Sequence, residues 1–136
     1  MEHIDLEAHW NEIRLQAGDI LAREPALQAL INETVLDRQN FAECLTYRLT
    51  HKLVKRSASV EVLHDTFIGA FSEKKEILEH VAYDMIAVQE RDPACQDVLT
   101  PLLYYKGLQG LICYRVAHFL WPVSYTHLTL PTRRGG

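Results

Sequence analysis

The chain has 136 residues, 48% of them hydrophobic, with 14 Lys and Arg against 18 Asp and Glu for a net charge of −4. Such a chain makes one globular domain, which excludes wholesale disorder, and its acidity makes it a poor polyanion binder, so neither nucleic acid nor a helix-turn-helix DNA role is expected. The apolar runs fall far short of the roughly 20 residues of a membrane span, the start Met1-Glu2-His3-Ile4-Asp5 lacks the pattern of a signal peptide, and Cys44, Cys95 and Cys113 lack disulfide-framework spacing, so a cytoplasmic, membrane-free chain with reduced thiols is expected.

Helical periodicity runs through residues 1–122. Leu6, Trp10, Ile13, Ala17 and Ile20 form one stripe on a first helix that Gly18 weakens and Arg23-Glu24 ends. Pro25 suits a first helical position, and the helix it opens turns Leu27, Leu30, Ile31 and Val35 inward. Asn40 with Glu43 reads as a capping box for a third helix, whose face is Phe41, Leu45, Leu49 and Leu53. A basic connection over Lys52–Ser59 leads to a fourth helix with Val60, Leu63, Phe67 and Phe71 on one side. Ser72 is placed to cap a long fifth helix, with Ile77, Leu78, Val81, Ala82, Met85 and Ile86 inward and Glu73, Lys74, Glu76 and Glu79 outward. Pro93 stops it, because a residue before proline is pushed out of the helical region. Thr100-Pro101 then opens a sixth helix, predicted to run unbroken to Trp121 and apolar almost all round. Such a helix is either buried on most sides or packed against a second chain. The predicted fold class is all-α, a multi-helix bundle.

The segment 123–136 differs. Val123-Ser124-Tyr125-Thr126-His127-Leu128-Thr129-Leu130-Pro131-Thr132 resembles a translated sequencing adaptor, and is set apart as a non-native tail; a short β tail through Tyr125, His127 and Thr129 is the alternative. The tail holds Arg133 and Arg134 and no acid, so residues 1–122 carry 12 bases against 18 acids. The native frame is expected to continue past Trp121.

Few residues point to chemistry. No two of the seven histidines stand at i, i+4 and no Cys-x-x-Cys occurs, so no metal is expected. Gly107 and Gly110 are read as allowing close helix approach. Glu79, His80 and Asp84 read as a solvated helix face, and Arg115, three residues before His118, as reaching an acid elsewhere in an interface ion pair or as a snorkelling side chain. Asp92, directly before Pro93, reads as the N-cap of a short helix, although a carboxylate at a helix junction can also receive an ammonium group.

Three segments carry a resemblance: Arg91-Asp92-Pro93-Ala94, Pro101-Leu102-Leu103-Tyr104-Tyr105-Lys106-Gly107, and Tyr114-Arg115-Val116-Ala117-His118-Phe119-Leu120-Trp121. Leu6 to Glu12, Arg23-Glu24-Pro25 and Leu45 to Leu53 agree with them. Together they resemble the N-terminal helical domain of bacterial serine acetyltransferase across essentially all of 1–122. The specific part is Arg-Asp-Pro-Ala followed by Pro-Leu-Leu-Tyr-x-Lys-Gly. One departure is Gly107-Leu108-Gln109-Gly110, where the family often has Gly-Phe-His-Ala.

The resemblance implies the N-terminal domain of a hexapeptide-repeat acyltransferase whose left-handed β-helix domain is missing from these residues. It implies acetyl transfer from acetyl-CoA to the hydroxyl of L-serine, giving O-acetylserine for cysteine synthesis, with a histidine of the missing domain as general base. The helical domain would join subunits, as a trimer or a pair of trimers. Asp92 would hold the substrate amine, and L-cysteine would enter the same pocket as feedback inhibitor. A missing C-terminal tail would dock on cysteine synthase. The fragment alone is expected to be inactive, without a catalytic residue and without a bound cofactor. The rival expectation is a non-enzymatic helical oligomerisation or interaction module.

Overall fold

A computed structural model of the chain describes residues 3–53 and 59–120. The readings placed on residues 54–58, on Trp121 and on the tail over 123–136 lie outside the described residues.

The described residues form helices and turns, with no strand among them. Helix α1 spans Leu6–Arg23 and is capped by Asp5, whose carboxylate accepts the N–H groups of Glu7 and Ala8. It buries Trp10, Ile13, Ala17 and Ile20 as the spacing predicts, and also His9, which the stripe leaves out. The expected second helix is broken into a 3-10 turn Pro25–Leu27, a single α turn α2 at Gln28–Ile31, and a π turn Asn32–Leu36. Ile31 and Val35 are fully buried, while Leu27 and Leu30 are only partly covered.

Helix α3 is Phe41–Leu53. Asn40 caps it by accepting the Glu43 N–H at 2.9 Å, and the Glu43 carboxylate returns to the N–H of Gln39, one residue further out than the usual box. Helix α4, Val60–Glu73, packs most extensively on α3. Its cap is Ser59, and its buried face is Phe67, Ala70 and Phe71; Val60, predicted inward, sits in the first turn at the edge of an open cleft against α3 and stays exposed.

Helix α5, Glu76–Arg91, buries Ile77, Leu78, Val81, Ala82 and Met85 and touches α1, α4, α6 and α7. Ser72 does not cap it: α4 continues through Ser72 to Glu73, and Lys75 takes the cap position without a side-chain hydrogen bond. Glu73 and Lys74 therefore belong to the end of α4. The predicted final helix is two helices, α6 Leu99–Tyr104 and α7 Lys106–Leu120, separated at Tyr105. The core joins α1, α3, α4, α5, α6 and α7 in one cluster. No helix among the described residues is long and apolar enough to cross a membrane.

Candidate functional site

The site begins where α5 is forced to end. Asp92 precedes Pro93 and takes the extended backbone that position demands (φ −106°, ψ 106°), while its N–H still closes the last helical turn on Val88. Asp92 is therefore the C-cap of α5. No short helix follows it. Instead its carboxylate Oδ1 accepts the Ala94 N–H at 2.9 Å and its carbonyl accepts the Cys95 N–H at 2.9 Å, which closes a tight turn. The next helix waits for acceptors from elsewhere. Asp97 accepts the Thr100 N–H at 2.7 Å, and Gln16, on α1, accepts the N–H groups of Val98 and Leu99 at 3.1 and 3.2 Å. Thr100 is thus inside α6, and the capping oxygens are those of Asp97 and Gln16.

The break at Tyr105 has a chemical basis. Ending α6 frees the carbonyls of Leu102 and Leu103 from their backbone donors. Gln109 donates its Nε2 to the Leu102 carbonyl at 2.9 Å, and Arg48, on α3, donates to the Leu103 carbonyl. With both carbonyls satisfied, Tyr105 adopts φ −93°, ψ 108° and leaves the helical path. Its hydroxyl donates to Asp92 Oδ2 at 3.1 Å. The hydrogen bond to Asp92, with burial beside Cys95, pushes the Tyr105 phenol up to about 12, so it remains a proton donor through the neutral range. Each oxygen of the half-buried Asp92 carboxylate thus holds one donor. A carboxylate has about four acceptor positions, so capacity remains for a cation with N–H donors.

Beside this corner a cleft of about 380 Å³ opens between α5 and α7, lined by Tyr83, Arg91, Tyr105, Gly107, Leu108 and Leu111 among others. Its wall includes Asp84, which does not lie on a solvated face: Arg115 donates to both of its oxygens, at 2.7 and 3.0 Å, and the two side chains are 15% and 29% exposed. Arg115 is therefore an ion pair, between α5 and α7 of one chain. His80 and His118 line a second cleft together with Arg115, while Glu79 turns to His3 at 3.7 Å. Gly107 and Gly110 do not mediate close approach; both are exposed, and a Cβ on either would meet nothing within 4 Å. Among the described residues no three of His, Cys, Asp and Glu gather as a metal site.

Of these residues the sequence singles out Asp92 alone; it leaves Asp84 on a solvated face and reads Arg115 as an interface ion pair or a snorkelling side chain. It missed Tyr105, whose position carries no periodic signal, and Gln16, which looks like any exposed glutamine on α1.

Residues 9–113 match the family described as serine acetyltransferase, N-terminal. The serine acetyltransferase of Buchnera aphidicola subsp. Acyrthosiphon pisum is 36% identical over 121 residues, covering 89% of this chain and 44% of that protein. That of Escherichia coli strain K12 is 34% identical over 117 residues, covering 86% and 43%. A serine acetyltransferase solved in complex with CoA superposes with a TM-score of 0.83 at 32% identity, over 93% of this chain and 53% of that one. One in complex with cysteine superposes with 0.81 at 33% identity, over 93% and 52%. The Neisseria gonorrhoeae enzyme in complex with serine gives 0.78 at 31% identity, over 95% and 52%. The chain spans less than half the length of these curated relatives and about half of the solved chains.

Proposed function

The chain belongs to the serine acetyltransferase family through its N-terminal domain, and from that premise we propose that residues 1–122 form the helical part of an enzyme moving the acetyl group of acetyl-CoA onto the hydroxyl of L-serine. In this reading the general base and the acetyl-CoA contacts belong to a hexapeptide-repeat domain outside these residues, and the chain alone does not turn over. The helical part supplies subunit contacts, in a trimer or pair of trimers, and one wall of the amino-acid pocket. The exposed apolar side chains of Tyr104, Leu111, Tyr114 and Leu120 support the subunit role, since each would gain by leaving water against a second chain. A cytoplasmic setting and docking of cysteine synthase on a C-terminal tail belong to the same reading.

The observation that carries it is the Arg91-Asp92-Pro93-Ala94 corner, which holds a carboxylate with unused acceptor capacity at the end of α5. Asp92 takes the ammonium group of serine there, and the ammonium group of cysteine as feedback inhibitor. Solved relatives in complex with serine and with cysteine support this assignment. The interaction-module rival is not favoured, because the match runs through the family's own domain.

The test is a chimera in which residues 1–120 replace the helical part of the Escherichia coli enzyme. Thiol release from acetyl-CoA is expected with L-serine and is suppressed by L-cysteine. Asp92→Asn should raise the serine KM and the cysteine IC50 together, by roughly tenfold to a hundredfold, as expected for a hydrogen bond to a charged group. A soluble, assembled chimera without turnover would overturn the reading. An Asp92→Asn chimera with unchanged serine and cysteine response would remove the role of Asp92.

A further inference from the structure

We propose that Tyr105 is a positioning residue for the amino-acid site: its hydroxyl holds the Asp92 carboxylate in one orientation and so sets how tightly an amino-acid ammonium group is taken. The proposal rests on the function argued above, and it concerns a side chain at the one position that the Pro-Leu-Leu-Tyr-x-Lys-Gly pattern leaves open.

An aspartate at a helix end turns about two side-chain bonds, and that freedom must be given up when a ligand binds. Here it is given up in advance. The Ala94 N–H on Oδ1, at 2.9 Å, comes from two residues away and ties the carboxylate to its own turn. The Tyr105 hydroxyl on Oδ2, at 3.1 Å, comes from thirteen residues away and ties it to the start of α7. Two donors on two different oxygens define the plane of the carboxylate, which one donor cannot do.

Tyr105 is itself held. Its N–H bonds to the Pro101 carbonyl at 2.9 Å, and the extended backbone at this point persists because Gln109 and Arg48 satisfy the carbonyls that the break exposes. The hydroxyl is therefore aimed by α3 and α7 together. Its hydrogen bond uses one acceptor position of Oδ2 and leaves others for an ammonium group. Preorganisation of this kind acts on ground-state binding of any α-amino acid that uses Asp92, so substrate and inhibitor respond alike.

Two experiments test this. On the chain itself, NMR of ¹³Cζ-tyrosine through alkaline pH should show Tyr105 titrating clearly above the ordinary value near 10, towards about 12, and Asp92→Asn should bring that titration down. A Tyr105 that titrates near 10 in the parent chain, or is indifferent to Asp92→Asn, overturns the proposal whatever the chimera does. In the chimera, Tyr105→Phe keeps the ring and removes only the hydroxyl. The serine KM and cysteine IC50 should rise by the same factor, roughly two- to tenfold, with kcat and the acetyl-CoA KM unchanged. In an Asp92→Asn background the same substitution should do nothing further. Unchanged serine and cysteine response, or an equal effect in the Asp92→Asn background, means a packing role and refutes the assignment. A parent chimera without turnover counts against the function itself, while the NMR result stands separately.

Discussion

Acid should weaken this fold through one histidine. His9 lies on α1 with 8% of its surface exposed, its ring edge-on to Phe41 at 5.1 Å. Its Nε2 is buried and has no hydrogen-bond partner among the described residues. Burial lowers its pKa from 6.5 to about 4, against a weaker upward pull from Glu12. Above about pH 6.5 the imidazole is neutral in both folded and unfolded chains, and its contribution to stability is constant. Between 6.5 and about 4 the unfolded chain binds a proton that the folded chain refuses, so stability falls as pH falls. Below about 4 both forms are protonated and the decline ends. At 1.36 kcal/mol per pKa unit this interval amounts to about 3 kcal/mol. Urea unfolding followed by circular dichroism from pH 7.5 to 4.5 measures it, with His9→Leu as the reference that lacks the titrating group. The parent should lose about 2.5 kcal/mol more than the variant over this range, the remainder of the interval lying below pH 4.5. Parallel pH profiles, or a His9 ring that titrates by NMR near 6.5 in the folded chain, would refute the reasoning.

Other consequences are more local. Gln16→Ala leaves the buried N–H groups of Val98 and Leu99 without their acceptor, so the chain should lose about 1–2 kcal/mol and those two amides should exchange faster with deuterium. Arg115→Met strands Asp84 at 15% exposure, and thermal unfolding should show a loss of about 2 kcal/mol, between the values for exposed and buried pairs, which adding Asp84→Asn partly restores. Gly110→Ala adds a Cβ into open space inside α7 and should stabilise by about 0.5–1 kcal/mol in the same melt; a loss instead would mean that α7 is approached closely at this point.

The candidate site was half legible from residue order. Asp92 stands out because proline after it forbids helix, and that is a steric rule acting on a single neighbour. Its partner Tyr105 does not stand out, because the one breaker within a turn of it, Gly107, is tolerated inside helices and does not by itself place a bend. The apolar residues around it, Leu102, Leu103, Leu108 and Ile112, suit one continuous helix as well as two. The prediction of a single helix from Thr100 failed on the side chains of Arg48 and Gln109, which take over the hydrogen bonds that a continuous helix would have made. The cap at Asn40 was recognised, but the extra N–H that Glu43 serves belongs to Gln39, since the turn before α3 brings that group within reach.

Residue order by itself determined the helical class, the buried stripes through Ile13, Ala17 and Ile20 or Val81, Ala82 and Met85, and the stop at Pro93, because each depends on neighbours within about one helical turn. Tertiary structure alone decided the second chain break at Tyr105, the Gln16 cap on a helix more than eighty residues away, the Arg115–Asp84 pair and the hydroxyl on Asp92. Those interactions join atoms that only the packed bundle brings within 3.2 Å of one another, and a one-dimensional pattern contains no term for them.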